Sequence, residues 1–372
     1  SRSDVRRGRN RNVYLGGAGD ILLKQVLFFS FLSCILALAI VPLVIRFSKK
    51  KKWFDIPDGK RKIHTKPVPR LGGIALFLSF FLAVFIISLR GSFPFPFFLL
   101  AGGGVIFLTG LIDDLLSLPP WGKLIGQIAG ALILIAGGVT IQFFTLPWDK
   151  MVYLGSWGYP LTLLWIVGIT NALNLIDGMD GLSAGIGAIA SFTLGVIAWQ
   201  EGRIEPAALS FLLAGATIGF LFYNFPPAKI FLGDSGALFL GGMLATISVQ
   251  GAVKSAATFT LAIPILILGV PILDTFFAII RRSKNHLPVS SPDRGHLHHR
   301  LLERGYSQRG VVVLFYLISA ILGVIAIIVN TFVQNDTYSL LLLLLLFALF
   351  WRWGKNLGVL DIPEGKKTVE KS

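Results

Sequence analysis

Residues 159–181 read YPLTLLWIVGITNALNLIDGMDG, and this stretch decides the class of the fold. Its first part is an unbroken apolar run, and a run of about 20 such residues crosses a bilayer as a helix. Its end is different. Asn171, Asn174 and Asp177 recur at every third position, which on a helix puts them on roughly one face. Gly178 and Gly181 then let the chain turn. Polar groups bordering lipid are costly unless they have partners or a task. The segment therefore predicts a membrane span whose end carries chemistry.

The rest of the chain repeats the apolar part of this pattern. Hydrophobic residues make up 54% and charged residues 14%, and the mean hydropathy is +0.74. Too few charges remain to solvate a water-exposed surface. About eleven spans are expected, over 21–46, 73–90, 94–113, 124–143, 159–176, 182–200, 207–222, 236–252, 257–280, 311–331 and 338–353. The fold class is an all-α polytopic membrane protein. A β-barrel would need short alternating segments instead. Residues 144–158 are polar and aromatic enough to form a small hairpin. The lone Cys34 excludes an intramolecular disulfide and a metal–thiolate cluster.

The net charge of +15 does not point to nucleic acid, because the cations sit in loops beside apolar runs. Loop 47–72, loop 281–310 and the tail at 355–372 hold most Lys and Arg, whereas the opposite loops hold only Arg90, Lys150, Arg203 and Lys254. The basic side is expected to be cytoplasmic, with the N-terminus outside and the C-terminus inside. Residues 1–20 form an arm whose five arginines break that rule. Part of it is read as foreign to the native chain and set aside. Residues 21–354 form one transmembrane catalytic domain, with cytoplasmic loops at 47–72, 113–123, 171–181, 223–235 and 281–310.

On this topology every chemically suggestive motif falls on the cytoplasmic side. Gly110-Leu111-Ile112-Asp113-Asp114 ends a span in two carboxylates, where the helix dipole disfavours anions. A solvated helix end, a metal site and a general base all fit the pair. Asn171, Asn174, Asp177 and Asp180 offer hard oxygen ligands suited to Mg²⁺ or Mn²⁺, or else a capped, packed helix end. Phe231-Leu232-Gly233-Asp234-Ser235-Gly236 precedes a span. Its glycines admit a phosphate or metal to the backbone, and an Asp or Ser N-cap is the plainer reading.

Pro292-Asp293-Arg294-Gly295-His296-Leu297-His298-His299-Arg300 suits a diphosphate better than zinc, because its arginines repel a cation. If this stretch is helical, His296, His299 and Arg300 share a face, and Leu297 and Leu301 turn to the membrane. Lys66 and Arg70 lie in a proline-stiffened basic lead-in to the second span, equally explained by topology and by substrate contact. Asp274, inside the ninth span, has Arg281 two turns along the same face, so an orienting role is as reasonable as a catalytic one.

In this order, over about residues 50–310, these motifs closely resemble the polyprenyl-phosphate N-acetylhexosamine-1-phosphate transferase family. The resemblance implies transfer of a sugar 1-phosphate from a UDP-N-acetylhexosamine to a polyprenyl phosphate, with release of UMP. It implies Mg²⁺, with Mn²⁺ as an alternative, held mainly by Asp234 together with Asn174. It puts Asp113 and Asp114 beside the lipid phosphate, and Asp177 and Asp180 along the nucleotide-sugar pocket. His298 joins Asp113, Asp114 and Asp177 as a catalytic candidate. Lys66, Arg70, Asn171, Asp180, Arg294, His296, His299 and Arg300 are the substrate-binding candidates. The resemblance also implies a bacterial inner-membrane location and a homodimer.

The His-Leu-His-His loop and Pro67-Val68-Pro69-Arg70-Leu71-Gly72-Gly73 look like the branch using UDP-N-acetylglucosamine. Val68, Arg70 and Leu71 depart from the muramoyl-pentapeptide version, which stays an alternative. A transporter would place ionisable or broken-helix sites at mid-membrane, where this chain has mainly Asp274. A flippase would not need five acids on one side.

Overall fold

The computed structural model describes residues 18–55, 67–91, 93–146, 150–252, 262–285, 295–332 and 336–360. In chain order the helices are α1 (Ala18–Lys51), α2 (Gly72–Leu89), α3 (Phe97–Leu116), α4 (Pro120–Ala136), α5 (Gly158–Ile176), α6 (Leu182–Gln200) and α7 (Ile204–Asn224). They continue with α8 (Gly233–Ala252), α9 (Ala262–Ile267), α10 (Gly269–Lys284), α11 (Leu297–Glu303), α12 (Gln308–Phe332) and α13 (Asp336–Asn356). Two short antiparallel pairs accompany them. Phe54–Asp55 pairs with Val68–Pro69, and Phe143–Leu146 pairs with Lys150–Tyr153 as the expected hairpin.

Among the described residues, 8 helical stretches are long and apolar enough to cross a membrane, against about eleven read from the runs. The other three expected spans fall on α4, α8 and the pair α9–α10. Helix α4 has 17 residues, and the ninth run is divided at Leu268 into helices of 6 and 16 residues. Pro271 contributes to that break, since a proline inside a helix removes a backbone donor. Helix α8 is the centre of the bundle, packed against α2, α3, α5, α6 and α7. It is buried almost from end to end. The outer helices instead carry large exposed apolar side chains such as Leu164, Phe222 and Leu317, as expected where lipid replaces water.

Loops are shorter than the sequence suggested. Helix α3 runs through Asp113 and Asp114 to Leu116, and α4 starts at Pro120. Helix α5 carries Asn171 and Asn174 on its last turns.

The N-terminus of α8 is driven deep between α2 and α3 because two glycines leave room. A Cβ on Gly110 would lie 2.5 Å from Asp234 O, and one on Gly73 would lie 2.3 Å from Gly236 N. The approach is secured by aromatic packing, with Phe77 stacked on Phe107 at 4.2 Å and edge-on to Phe239 at 5.3 Å. The chain before α8 also satisfies free amides of α2. Gly72 N donates to Phe231 O at 3.0 Å and Gly73 N to Leu232 O at 2.8 Å.

Candidate active site

The acids of three separate motifs meet where α3 and α5 end and α4 and α8 begin. Lys123, in the first turn of α4, donates to Asp113 Oδ2 at 3.0 Å and lies 3.7 Å from Asp234 Oδ1. Asn174 Nδ2 donates to Asp234 Oδ1 at 2.7 Å, and Arg70 lies 3.7 Å from Asp234 Oδ2. Asp113 also accepts the backbone N–H of Leu118 at 2.7 Å, which tightens the α3–α4 turn. Among the described residues, Lys123 thus faces Asp113 and Asp234, and Arg70 faces Asp234, while the charges of Asp114, Asp180 and Asp234 all act on Asp177. An anionic pocket of this kind attracts a further cation.

Asp114 points the other way. Its Oδ1 accepts Asp234 N at 2.9 Å, and its Oδ2 accepts Ser235 N at 2.9 Å and Ser235 Oγ at 2.6 Å. It is an N-cap supplied by a different helix, satisfying free amides of α8 and complementing its positive end. Gly233, at φ +74°, makes the preceding turn, and a Cβ there would lie 2.7 Å from Asp114 Oδ2.

Asp180 also holds backbone, its Oδ2 accepting Ala228 N at 2.9 Å. Asn224 ties the same turn, accepting Gly181 N at 3.0 Å and donating to Ile230 O at 2.8 Å. Asp177 is close enough to Asp114, Asp180 and Asp234 to feel their charge, and its carboxyl is held well above the usual range. Burial is the largest cause, followed by the negative charges of Asp234 and Asp114. Asn171 pairs with Gln127, donating to Gln127 Oε1 at 2.5 Å. Gln127 sits one turn beyond Lys123 on the same face of α4, so this amide pair sets the rotation that aims Lys123 at the acids.

The histidines form a second wall. His296 and His298 are buried, and His299 and Arg300 are half-buried. Arg300 reaches Glu303 at 3.2 Å. A Cβ on Gly178 would lie 2.7 Å from His298 Nε2, so His298 packs against the turn of the α5 motif. Its imidazole is pushed down to about 3, first by burial and then by the neighbouring His299.

The segment is helical as considered, but Leu297 and Leu301 are 0% and 3% exposed. They are turned into the protein core and not to the membrane, because α11 lies on α12. Arg281 does not face Asp274 either. It donates to Val359 O. Lys66 and Arg294 lie outside the described residues.

Lys123, Gln127 and Asn224 were not among the residues expected from the sequence, and Ser235 was expected only as an N-cap. Lys123 had a signal: a cation in the first turn of a helix opposes the dipole and needs anions nearby. Gln127 had one too, as an amide inside an apolar run. Asn224 had none beyond its polarity, whereas Ser235 had its place at the start of a span.

The donor set suits Mg²⁺ in one particular way. Among the described residues no three His, Cys, Asp or Glu side chains converge to cage an ion. Mg²⁺ rarely uses such a cage, taking one or two carboxylates and completing its shell with water and substrate phosphates. Asp234 and the carbonyl oxygen of Asn174 fit that role.

The glycosyl transferase family 4 profile matches residues 96–252. The chain is 41% identical over 313 residues to a probable undecaprenyl-phosphate N-acetylglucosaminyl 1-phosphate transferase of Bacillus subtilis, covering 84% of this chain and 87% of that one. It is 39% identical over 313 residues to a decaprenyl-phosphate N-acetylglucosaminephosphotransferase of Mycobacterium tuberculosis, covering 76% and 77%. It is 32% identical over 340 residues to a phospho-N-acetylmuramoyl-pentapeptide-transferase of Halalkalibacterium halodurans, covering 84% and 100%.

Proposed function

The chain belongs to glycosyl transferase family 4, and from that membership we propose that it transfers N-acetylglucosamine 1-phosphate from UDP-N-acetylglucosamine to a polyprenyl phosphate, releasing UMP. The observation that carries the choice of sugar is the step in identity. It is 41% and 39% to relatives named for N-acetylglucosamine and 32% to one named for the muramoyl pentapeptide.

An oxygen of the lipid phosphate attacks the sugar-bearing phosphorus. The bond from that phosphorus to the bridging oxygen breaks, and UMP leaves with the electron pair. Both reactants are anions, so the main task is to offset their repulsion and align them. Lys123 and Arg70 supply positive charge on the acid side, and the histidine segment flanks the turn at Gly178. A lipid phosphate at neutral pH is already anionic, so positioning matters more than proton removal. Mg²⁺ held by Asp234 and Asn174 would supply Lewis-acid stabilisation of the diphosphate. We place this site on the cytoplasmic face of a bacterial inner membrane, on the strength of the basic loops.

The test is UMP release by the purified protein over a panel of UDP-sugars, with and without polyprenyl phosphate. Release should require the lipid phosphate and be fastest with UDP-N-acetylglucosamine. Release without the lipid, or a preference for the muramoyl pentapeptide donor, would overturn the proposal.

A further inference from the structure

Asp274 is 1% exposed, inside α10, and both of its carboxylate oxygens are engaged. Oδ2 lies 2.7 Å from His296 Nδ1, and Oδ1 accepts the backbone N–H of Leu297 at 2.8 Å. A carboxylate this deep in a membrane bundle is costly to keep, so its charge must be matched by what it holds. What it holds is the start of α11. The Leu297 amide is the first of that helix, and His296 is its N-cap residue with no side-chain cap bond of its own.

The pairing also selects a tautomer. An ionised carboxylate can only accept, so Nδ1 carries the proton and Nε2 is presented away from Asp274. His296 stacks on His298 with ring centroids 5.7 Å apart and planes 10° from parallel. Among the described residues neither ring nitrogen of His298 has a hydrogen-bond partner, so its orientation comes from packing against His296, His299 and the turn at Gly178. His296, the one of these neighbours lying nearly parallel to His298, therefore helps to fix the tilt of the imidazole that abuts Gly178.

We propose that Asp274 is a positioning residue for the phosphotransfer, holding His296 in the Nδ1–H tautomer and thereby orienting the His296–His298 wall of the cleft. This rests on the function proposed above. Asp274 touches no reacting atom and acts through His296.

Asp274→Asn separates the capping and orienting roles. Two donors, Leu297 N–H and His296 Nδ1–H, would then compete for one amide oxygen. The backbone amide cannot give up its proton, so the oxygen turns to Leu297 and the side-chain NH₂ to His296, which moves its proton to Nε2. The helix stays capped while the tautomer flips.

The expected result is a fall in kcat of at least about tenfold, with KM for the UDP-sugar changed by less than about threefold. In a His296→Gln background the same substitution should lower kcat by less than about twofold, because the two residues act as a unit. Long-range ¹H–¹⁵N spectra of labelled imidazoles read the tautomer without turnover. They should show Nδ1–H for His296 in the wild type and Nε2–H in Asp274→Asn.

An unchanged tautomer, or additive losses in the two backgrounds, would overturn the proposal. So would a variant that loses thermal stability while kcat per folded molecule stays at the wild-type value, since that marks a purely structural acid. If the wild type releases no UMP, the functional reading fails, and the spectra still decide what Asp274 does to His296.

Discussion

Asp114 offers the sharpest separation between holding and reacting. Its carboxylate accepts three hydrogen bonds from the start of α8, at 2.9, 2.9 and 2.6 Å. Losing a helix N-cap costs about 0.5–2 kcal/mol, and each hydrogen bond to a charged group contributes about 1.5–3 kcal/mol. Asp114 is half-buried, so water recovers part of this. Asp114→Ala should then destabilise by about 2–4 kcal/mol, and Asp114→Asn, which keeps one acceptor oxygen, by about half as much. Ser235→Ala removes only the hydroxyl bond and should cost about 1 kcal/mol.

Turnover should follow the same order for a geometric reason. One of the three donors is the backbone N–H of Asp234, the residue that meets Lys123 and Asn174. Freeing the helix end displaces the Asp234 carboxylate, so turnover falls along with stability. Thermal unfolding followed by tryptophan fluorescence, with UMP release on the same samples, measures both effects. If Asp114→Asn unfolds at the wild-type temperature yet abolishes turnover, the carboxylate takes part in chemistry and the capping argument fails.

Lys123→Gln should leave Asp113 and Asp234 facing each other without their shared cation. Breaking a buried pair costs about 3–5 kcal/mol, and the 28% exposure of Lys123 reduces this to roughly 2 kcal/mol. A variant with wild-type melting and turnover would show the contact to be idle. A chelator should stop UMP release, Mg²⁺ should restore it, and Asp234→Asn should raise the Mg²⁺ concentration needed. Full activity in chelator would remove the metal from the scheme.

His298 stays neutral when folded, at about 3 against about 6.5 in the unfolded chain, so the unfolded state binds more protons between those values. Its contribution to stability is complete above about pH 6.5 and is lost as pH falls through that window, by up to about 1.4 kcal/mol per pH unit. His298→Asn should flatten melting temperature against pH between 6.5 and 4. An unchanged slope would mean that the imidazole is protonated in the fold.

The hydrophobic runs alone determined that this is a helical membrane protein. A span needs only length and apolarity, and both are local properties of the sequence. The motif at 171–181, the acid pair at 113–114 and the segment around Asp234 were legible for a related reason, since polar residues bordering lipid are conspicuous. What each carboxylate does was not legible. Asp113 and Asp114 are neighbours in the chain, yet one faces Lys123 and the other caps α8, because adjacent helix positions point about 100° apart. Asp274 drew attention as a buried acid, but its partner proved to be His296, 22 residues away, and not Arg281 on its own helix. The inward turn of Leu297 and Leu301 likewise depends on which helices lie alongside. Composition and spacing report the cost of placing a group in lipid. Only the packed bundle decides which neighbour offsets that cost, because those neighbours are brought close by contacts between residues distant in the sequence.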